Sequence, residues 1–221
     1  MISFDPAKAE LILFYRKKDQ ARDFPAILLG DTPIKPQESI RWLGVFLDSQ
    51  LTFKKHVRNW SSKALQAANF LRSLNKTRKG SPPEAVAQAA KAVVLSTALF
   101  GAEAWYTGPT KSSWTLSKRK PVRAGDEHLL KEINTSLKAA ARAVLPVWKT
   151  TAIPILHRES GIPPARVLLD QVRLRQAARI ANLDPRHPIV KRVVTRGRYQ
   201  SRLQTLAGLA PSCKRPFILP H

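Results

Sequence analysis

Apolar residues after position 50 recur at alternating steps of three and four along the chain. This is the spacing of one face of an α-helix, so the pattern predicts a helix over 52–77 with one buried stripe. Thr52 is a candidate N-cap because a hydroxyl there can accept a hydrogen bond from a free backbone N–H. The stripe comprises Phe53, Val57, Trp60, Ala64, Ala67, Leu71 and Leu74.

Four further helices are predicted downstream. Pro82 and Pro83 suit the first turn of a second helix, over 83–100, because proline has no backbone N–H to leave unpaired there. We expect the stripe of the first helix to pack against this second one. The same reasoning predicts helices over 127–145, 151–160 and 164–183.

The first 50 residues show a different pattern. Short apolar runs at 10–15, 26–34 and 40–48 are separated by polar stretches and by the turn-forming pair Gly30-Asp31. The apolar side chains of "IRWLGVFLD" are nearly continuous. This predicts one strand that is either buried on both faces, or buried on one face with the other face serving a function. The predicted fold class is therefore α+β, with a few short strands followed by helices.

These patterns divide the chain into segments. We predict a strand-rich segment at 1–50, a helical segment at 51–108, a basic linker at 109–126, a helical C-terminal region at 127–190 and a basic, loosely ordered tail at 191–221.

The charge of the chain indicates its partner. Lys and Arg number 38 against 15 Asp and Glu, for a net charge of +23. Such an excess repels itself unless a polyanion neutralises it, and nucleic acid is the commonest polyanion. Charge alone also permits an anionic membrane surface or an acidic partner.

Other features of the sequence narrow the expected location. The N-terminus lacks the long apolar run of a signal peptide, and the apolar run at 92–102 is shorter than a membrane span. The single cysteine, Cys213, excludes an internal disulfide and fits a reducing compartment. We expect an intracellular protein of the nucleus or cytoplasm, neither secreted nor membrane-bound, with no small-molecule substrate.

Four motifs, in order along the chain, carry a family resemblance: "FDPAKAELILF", "WLGVFLDSQLTFKKHV", "KALQAANFLRSL" and "ALFGAEAWYTG". Together they resemble the reverse transcriptase of non-LTR (LINE-type) retrotransposons, closest to fungal elements. The resemblance covers about residues 1–190, which would correspond to the end of the palm, the thumb and the following helical segment.

The resemblance implies roles for particular residues. Trp42, Leu43 and Gly44 fall on the primer grip, an apolar turn that holds the 3′ end of the growing strand. A glycine there would let the backbone approach a sugar–phosphate closely. Lys8 falls on a lysine near the phosphates of the incoming nucleotide. The cations of the first thumb helix would contact backbone phosphates; they are Lys54, Lys55, Arg58 and Lys63.

Each of these residues also has a simpler interpretation. Trp42 can be a core residue of a small sheet, and Gly44 a turn or bulge. The helix cations can form an ordinary solvated face, and Lys8 can be an ordinary surface lysine.

The chain departs from the family at the catalytic centre. Two Mg²⁺ ions in this family are held by palm aspartates, two of them adjacent, but none of the eight aspartates here are neighbours. We therefore expect no catalytic residues, no metal site and no cofactor in this chain, and interpret it as a fragment that begins within the palm and retains nucleic-acid binding. The alternative is a non-enzymatic basic protein that scaffolds or packages nucleic acid.

Overall fold

A computed structural model describes residues 8–15, 27–29, 32–75, 80–106, 108, 110–111, 122–123 and 127–193. The chain is an α+β protein in which short strands precede a set of helices, as predicted. Most of the predicted linker at 109–126 and most of the predicted tail at 191–221 lie outside the described residues.

The described strands are all short and form four two-stranded pairs. In chain order they are β1 (Leu11–Ile12), β2 (Ile27–Leu29), β3 (Thr32–Ile34), β4 (Pro36–Gln37), β5 (Ser39–Trp42), β6 (Val45–Asp48), β7 (Thr110–Lys111) and β8 (Val122–Arg123). β1 and β4 are parallel, whereas β2–β3, β5–β6 and β7–β8 are antiparallel. The strand pair within the predicted linker shows that this segment has some regular structure.

The segment "IRWLGVFLD" forms a hairpin, so the prediction of a single strand was wrong. Trp42 pairs with Val45 across a two-residue turn made by Leu43 and Gly44. Both turn residues have positive φ, 48° and 84°, as a type I′ turn requires. This turn matches the right-handed twist of the strands, which explains how an almost uniformly apolar run reverses direction.

Helices make up the rest of the described chain. They are α1 (Lys54–Leu74), α2 (Pro83–Ala89) continued by a π-helical stretch (Ala90–Leu95) into α3 (Ser96–Ala98), α4 (Ala102–Trp105), α5 (Glu127–Val144), α6 (Ile153–Ser160), α7 (Ala165–Ala181) and α8 (Pro188–Val193). All five predicted helices are present, within a few residues of the expected ends.

The apolar stripe of α1 is largely buried. Phe53, Val57, Ala64 and Leu71 lie in the core, Trp60 and Ala67 are half-buried, and Leu74 is exposed. The expected contact with the second helix is present, through the π-helical stretch and α3, but α1 packs more extensively against α5, which was not expected. Small residues are buried on both helices and permit a close approach; they are Ala64 and Ala68 of α1, and Ala140 and Ala141 of α5.

A single hydrophobic cluster joins α1 through α7. Its largest fully buried side chains include Ile133 and Leu137 of α5, Leu156 of α6 and Leu169 of α7. The helices of 51–108 and those of 127–190 therefore share one core.

Asn75 connects the ends of α1 and α5. Its Nδ2 donates hydrogen bonds to the carbonyls of Ala143, at 2.6 Å, and of Val144, at 3.0 Å. These carbonyls have no partner within their own helix, so the side chain satisfies groups that a helix end leaves free. The C-terminal ends of α1 and α5 consequently lie together.

Within the described residues, the helical segment Pro83–Trp105 is long and apolar enough to cross a membrane by length and composition alone. It is longer than the apolar run at 92–102 considered above. One side of it, with Ala90, Val94 and Ala98, is buried in the same core as α1 and α5.

Candidate nucleic-acid interface

A buried histidine of α1 is one of the residues that hold the hairpin β5–β6 on this helix. His56 is 1% exposed and lies among four aromatic rings at centroid distances of 6.3–6.5 Å. Its Nδ1 accepts a hydrogen bond from the Phe46 N–H of β6, and its Nε2 lies 2.9 Å from the Phe100 carbonyl. Because a carbonyl only accepts, Nε2 carries the proton and the ring is neutral. The rings are those of Phe46, Phe53, Trp60 and Phe100.

The neutral state of His56 follows from its surroundings. Burial lowers the pKa of the imidazole, and the hydrogen bond to the Phe100 carbonyl opposes that shift only in part. No pattern in the sequence indicates this role, because His56 stands in a run of charged residues and its partners lie 10 and 44 positions away along the chain.

The entry to α1 is organised by Asp48, and Thr52 does not cap the helix. Phe53 is the N-cap residue and has a left-handed backbone, while the Thr52 hydroxyl donates to Asp48 Oδ2 at 2.8 Å. The backbone N–H groups of Thr52 and Phe53 also donate to the Asp48 carboxylate. Partial burial acts to raise the pKa of this carboxyl, but these hydrogen bonds prevail and hold the pKa below its usual value.

The turn of the hairpin projects two apolar side chains into solvent. Trp42 is 63% exposed and Leu43 is 79% exposed. Trp42 is thus not a core residue, which removes the simpler interpretation of it. Leu43 also has φ of 48°, a left-handed conformation that is costly for leucine. An exposed apolar side chain on a strained turn is a feature typical of functional sites.

Gly44 serves the turn and the packing beneath it. A Cβ at this position would lie 2.9 Å from Cζ of Phe100, and the Gly44 carbonyl accepts a hydrogen bond from Trp60 Nε1. The close approach that we expected from a sugar–phosphate is therefore made by the Phe100 ring on that side. The conformation of Gly44, with φ of 84°, gives a second reason for glycine.

The four helix cations are all exposed but do not share one side of α1. Lys54 and Arg58 are one turn apart on the same side. Lys55 reaches the hairpin, where its Nζ donates to Ser39 Oγ and lies 6.0 Å from the centre of the Phe46 ring. Lys63 lies on another side, with its Nζ 4.6 Å from the centre of the Trp60 ring.

Arg41, which was not among the predicted phosphate-binding cations, lies close to Lys55. It pairs across the hairpin with Phe46, so both share one face of the sheet, and its Cζ lies 5.7 Å from the centre of that ring. Arg41 and Lys55 thus converge on one aromatic ring. In the described part of the chain, the ion pairs join Arg158 to Glu159 and Arg166 to Glu127, so none involves Arg41 or Lys55.

Lys8 is exposed and precedes β1. Its proposed proximity to nucleotide phosphates stays a prediction.

The acidic residues do not fit the pair of Mg²⁺ ions that the resemblance implies. No two aspartates are adjacent in the sequence, and the described residues contain no group of three or more His, Cys, Asp or Glu that could hold a metal. Asp48, the aspartate nearest the candidate interface, already accepts three hydrogen bonds.

Comparisons with protein-family models, curated proteins and solved structures find no match for the chain.

Proposed function

We propose that this chain binds nucleic acid through the face formed by the hairpin β5–β6 and α1. The observation that carries the proposal is the exposed, strained turn at Trp42 and Leu43, at the end of a hairpin on which Arg41 and Lys55 converge with no acidic partner among the described residues. Basic side chains bind phosphates by releasing condensed counterions, and exposed aromatic rings stack on bases or sugars. The net charge of +23 supports a polyanionic partner.

The turn and the cations have separate roles in this proposal. Arg41, Lys54, Lys55 and Arg58 contact backbone phosphates, which carry no base information, so binding is nearly independent of sequence. Trp42 and Leu43 contact the end of a strand, as the resemblance to a primer grip implies. An RNA–DNA hybrid is the preferred duplex if the resemblance to a reverse transcriptase thumb holds.

Polymerisation does not form part of the proposal. The chain has no adjacent aspartates to hold the two metal ions that stabilise the attacking and leaving oxygens. We therefore expect the purified chain to show no primer extension on a polyribonucleotide template with Mg²⁺ or Mn²⁺. Heat-sensitive extension above a no-protein control would contradict both this expectation and the fragment interpretation.

The binding test replaces three cations of the proposed face together. Changing Lys54, Lys55 and Arg58 to Ala removes up to three phosphate contacts, so the slope of log affinity against log salt flattens by up to about 3 units on duplex. Affinity would be measured on one RNA–DNA hybrid across a salt series. The matched control changes three exposed cations in and after α7 to Ala; they are Arg175, Arg179 and Arg186.

The two triple variants separate the two candidate functions. A larger loss and a flatter slope for the α1 variant support a defined interface. Equal losses in both variants favour the alternative, a basic protein that scaffolds or packages nucleic acid through its overall charge.

A further inference from the structure

Trp148 is the most exposed large apolar residue in the described part of the chain. It lies in the connection between α5 and α6, and 83% of its surface is accessible to solvent. Large aromatic side chains are usually largely buried, so an indole with this much solvent exposure is unusual. The hairpin turn lies between β5 and β6, whereas this connection lies between α5 and α6.

The connection that carries Trp148 is held in place by hydrogen bonds. The Arg142 guanidinium donates to the Lys149 carbonyl at 3.1 Å, and the Thr151 N–H donates to the Trp148 carbonyl at 3.1 Å. Asn75 secures the end of α5 just before it. These hydrogen bonds constrain the backbone that carries the indole. This limits the conformational entropy that is lost when a ligand stacks on the ring.

The sequence on both sides of Trp148 carries charge of one sign. No acidic residue occurs between Glu132 and Glu159, a stretch that spans most of α5 and α6. The same stretch carries four cations, which are Lys138, Arg142, Lys149 and Arg158. Lys149 is exposed and follows Trp148 directly, so an exposed ring and an exposed positive charge are neighbours in the chain.

We propose that Trp148 and Lys149 form a second contact site, for a single-stranded segment of nucleic acid. An exposed aromatic ring beside cations is the combination by which proteins bind single strands without sequence preference, because every base has a face that can stack. A duplex keeps its bases stacked on each other and offers none to Trp148 except at its ends. The inference takes its class of partner from the proposed function but names a different surface and a different form of nucleic acid.

The test compares two ligands, a blunt RNA–DNA hybrid and the same hybrid with a single-stranded extension. The full chain should bind the extended hybrid more tightly. Trp148→Ala should lower the affinity for the extended hybrid at least about five-fold, which removes that gain. Its affinity for the blunt hybrid, and the salt slope of that affinity, should stay unchanged. Trp148→Leu keeps apolar bulk without a stacking ring and should lose the same gain, and Trp148→Phe should retain much of it.

Two further variants identify which interaction is lost. Lys149→Ala should flatten the salt slope on the extension by about 0.7, the value for one phosphate contact on a single strand. Ile155→Ala removes another exposed apolar side chain of the same region and should change nothing. Melting temperatures of all variants should match that of the unmodified chain, because Trp148 contributes little to the core.

The outcomes distinguish this inference from the proposed function. If the blunt hybrid binds but the extension adds nothing, or if Trp148→Ala and Trp148→Leu both keep the gain, the second site is refuted and the hairpin interface stands. If neither ligand binds, both proposals fail. Loss of the gain in both Trp148 variants, with retention in Trp148→Phe, supports a stacking site.

Discussion

The indole N–H of Trp60 donates a hydrogen bond to the carbonyl of Gly44, with 3.2 Å between the two heavy atoms. This bond ties the middle of α1 to the turn of the hairpin. The Phe100 ring lies with its centre 4.4 Å from the centre of the Trp60 ring and occupies the space beside Gly44. Gly44, Trp60 and Phe100 together form the junction between the hairpin and α1. The position of the exposed Trp42 and Leu43 relative to the cations of α1 is therefore set by packing beneath the turn.

Replacement of Gly44 by Ala tests how firmly this junction is held. The variant combines an unfavourable left-handed backbone with a clash between the new Cβ and the Phe100 ring. We expect a loss of about 2 kcal/mol in the free energy of unfolding, measured by urea denaturation.

Gly161→Ala is the matched control. Gly161 has a similar φ of 63°, but among the described residues a Cβ there would meet only Lys91 Nζ, at 3.9 Å. This variant carries the backbone cost alone, about 1 kcal/mol. Equal losses at the two positions would mean that the Phe100 ring adjusts freely, so that the junction does not fix the turn.

Replacement of Leu43 by Asn should separate stability from binding. Asn tolerates the left-handed backbone at this turn position, and the substitution removes an exposed apolar side chain. The free energy of unfolding should therefore rise by about 0.5–1 kcal/mol. Affinity for an RNA–DNA hybrid should fall at the same time if Leu43 contacts the strand end. An unchanged affinity with raised stability would show that the strained leucine is not needed for binding.

The sequence predicted the helices well because their signals are local. The three-and-four spacing in α1, the prolines before α2 and Gly161 after α6 all act within a few residues. The hairpin was missed because its turn pair, Leu43-Gly44, places a leucine where Asn or Asp usually signals this turn.

The organisation of the candidate site could not be predicted, because its contacts join residues far apart in the chain. His56 meets Phe100 across 44 positions, and Asn75 meets Ala143 across 68. Neither pair leaves a periodic signal in a single sequence. The exposure of Trp148 was also unpredictable, because an apolar residue in a short connection has no spacing that assigns it to core or surface.

The stability of the fold should depend on the protonation of His56. Both of its ring nitrogens are used in the neutral state, one as acceptor from the Phe46 N–H and one as donor to the Phe100 carbonyl. A second proton, on Nδ1, would turn the first of these hydrogen bonds into a clash of two donors. Since the pKa of His56 is lowered in the folded chain, the unfolded chain binds the proton first as the pH falls.

The sign and the pH window of this effect follow directly. Above about pH 6.5 the histidine is neutral in both states and contributes no pH dependence. As the pH falls below that value, stability declines by up to about 1.4 kcal/mol per unit until the lower pKa of the folded state is reached. Asp48 acts in a separate window, because its lowered pKa makes its contribution disappear only at more acidic pH.

The measurement is the free energy of unfolding from pH 8 to pH 5, for the unmodified chain and for His56→Gln. The glutamine does not titrate and can still donate to the Phe100 carbonyl, so this variant should be less stable at pH 8 but less sensitive to acid. If His56→Gln retains the full decline below pH 6.5, the junction between hairpin and α1 does not depend on a neutral histidine.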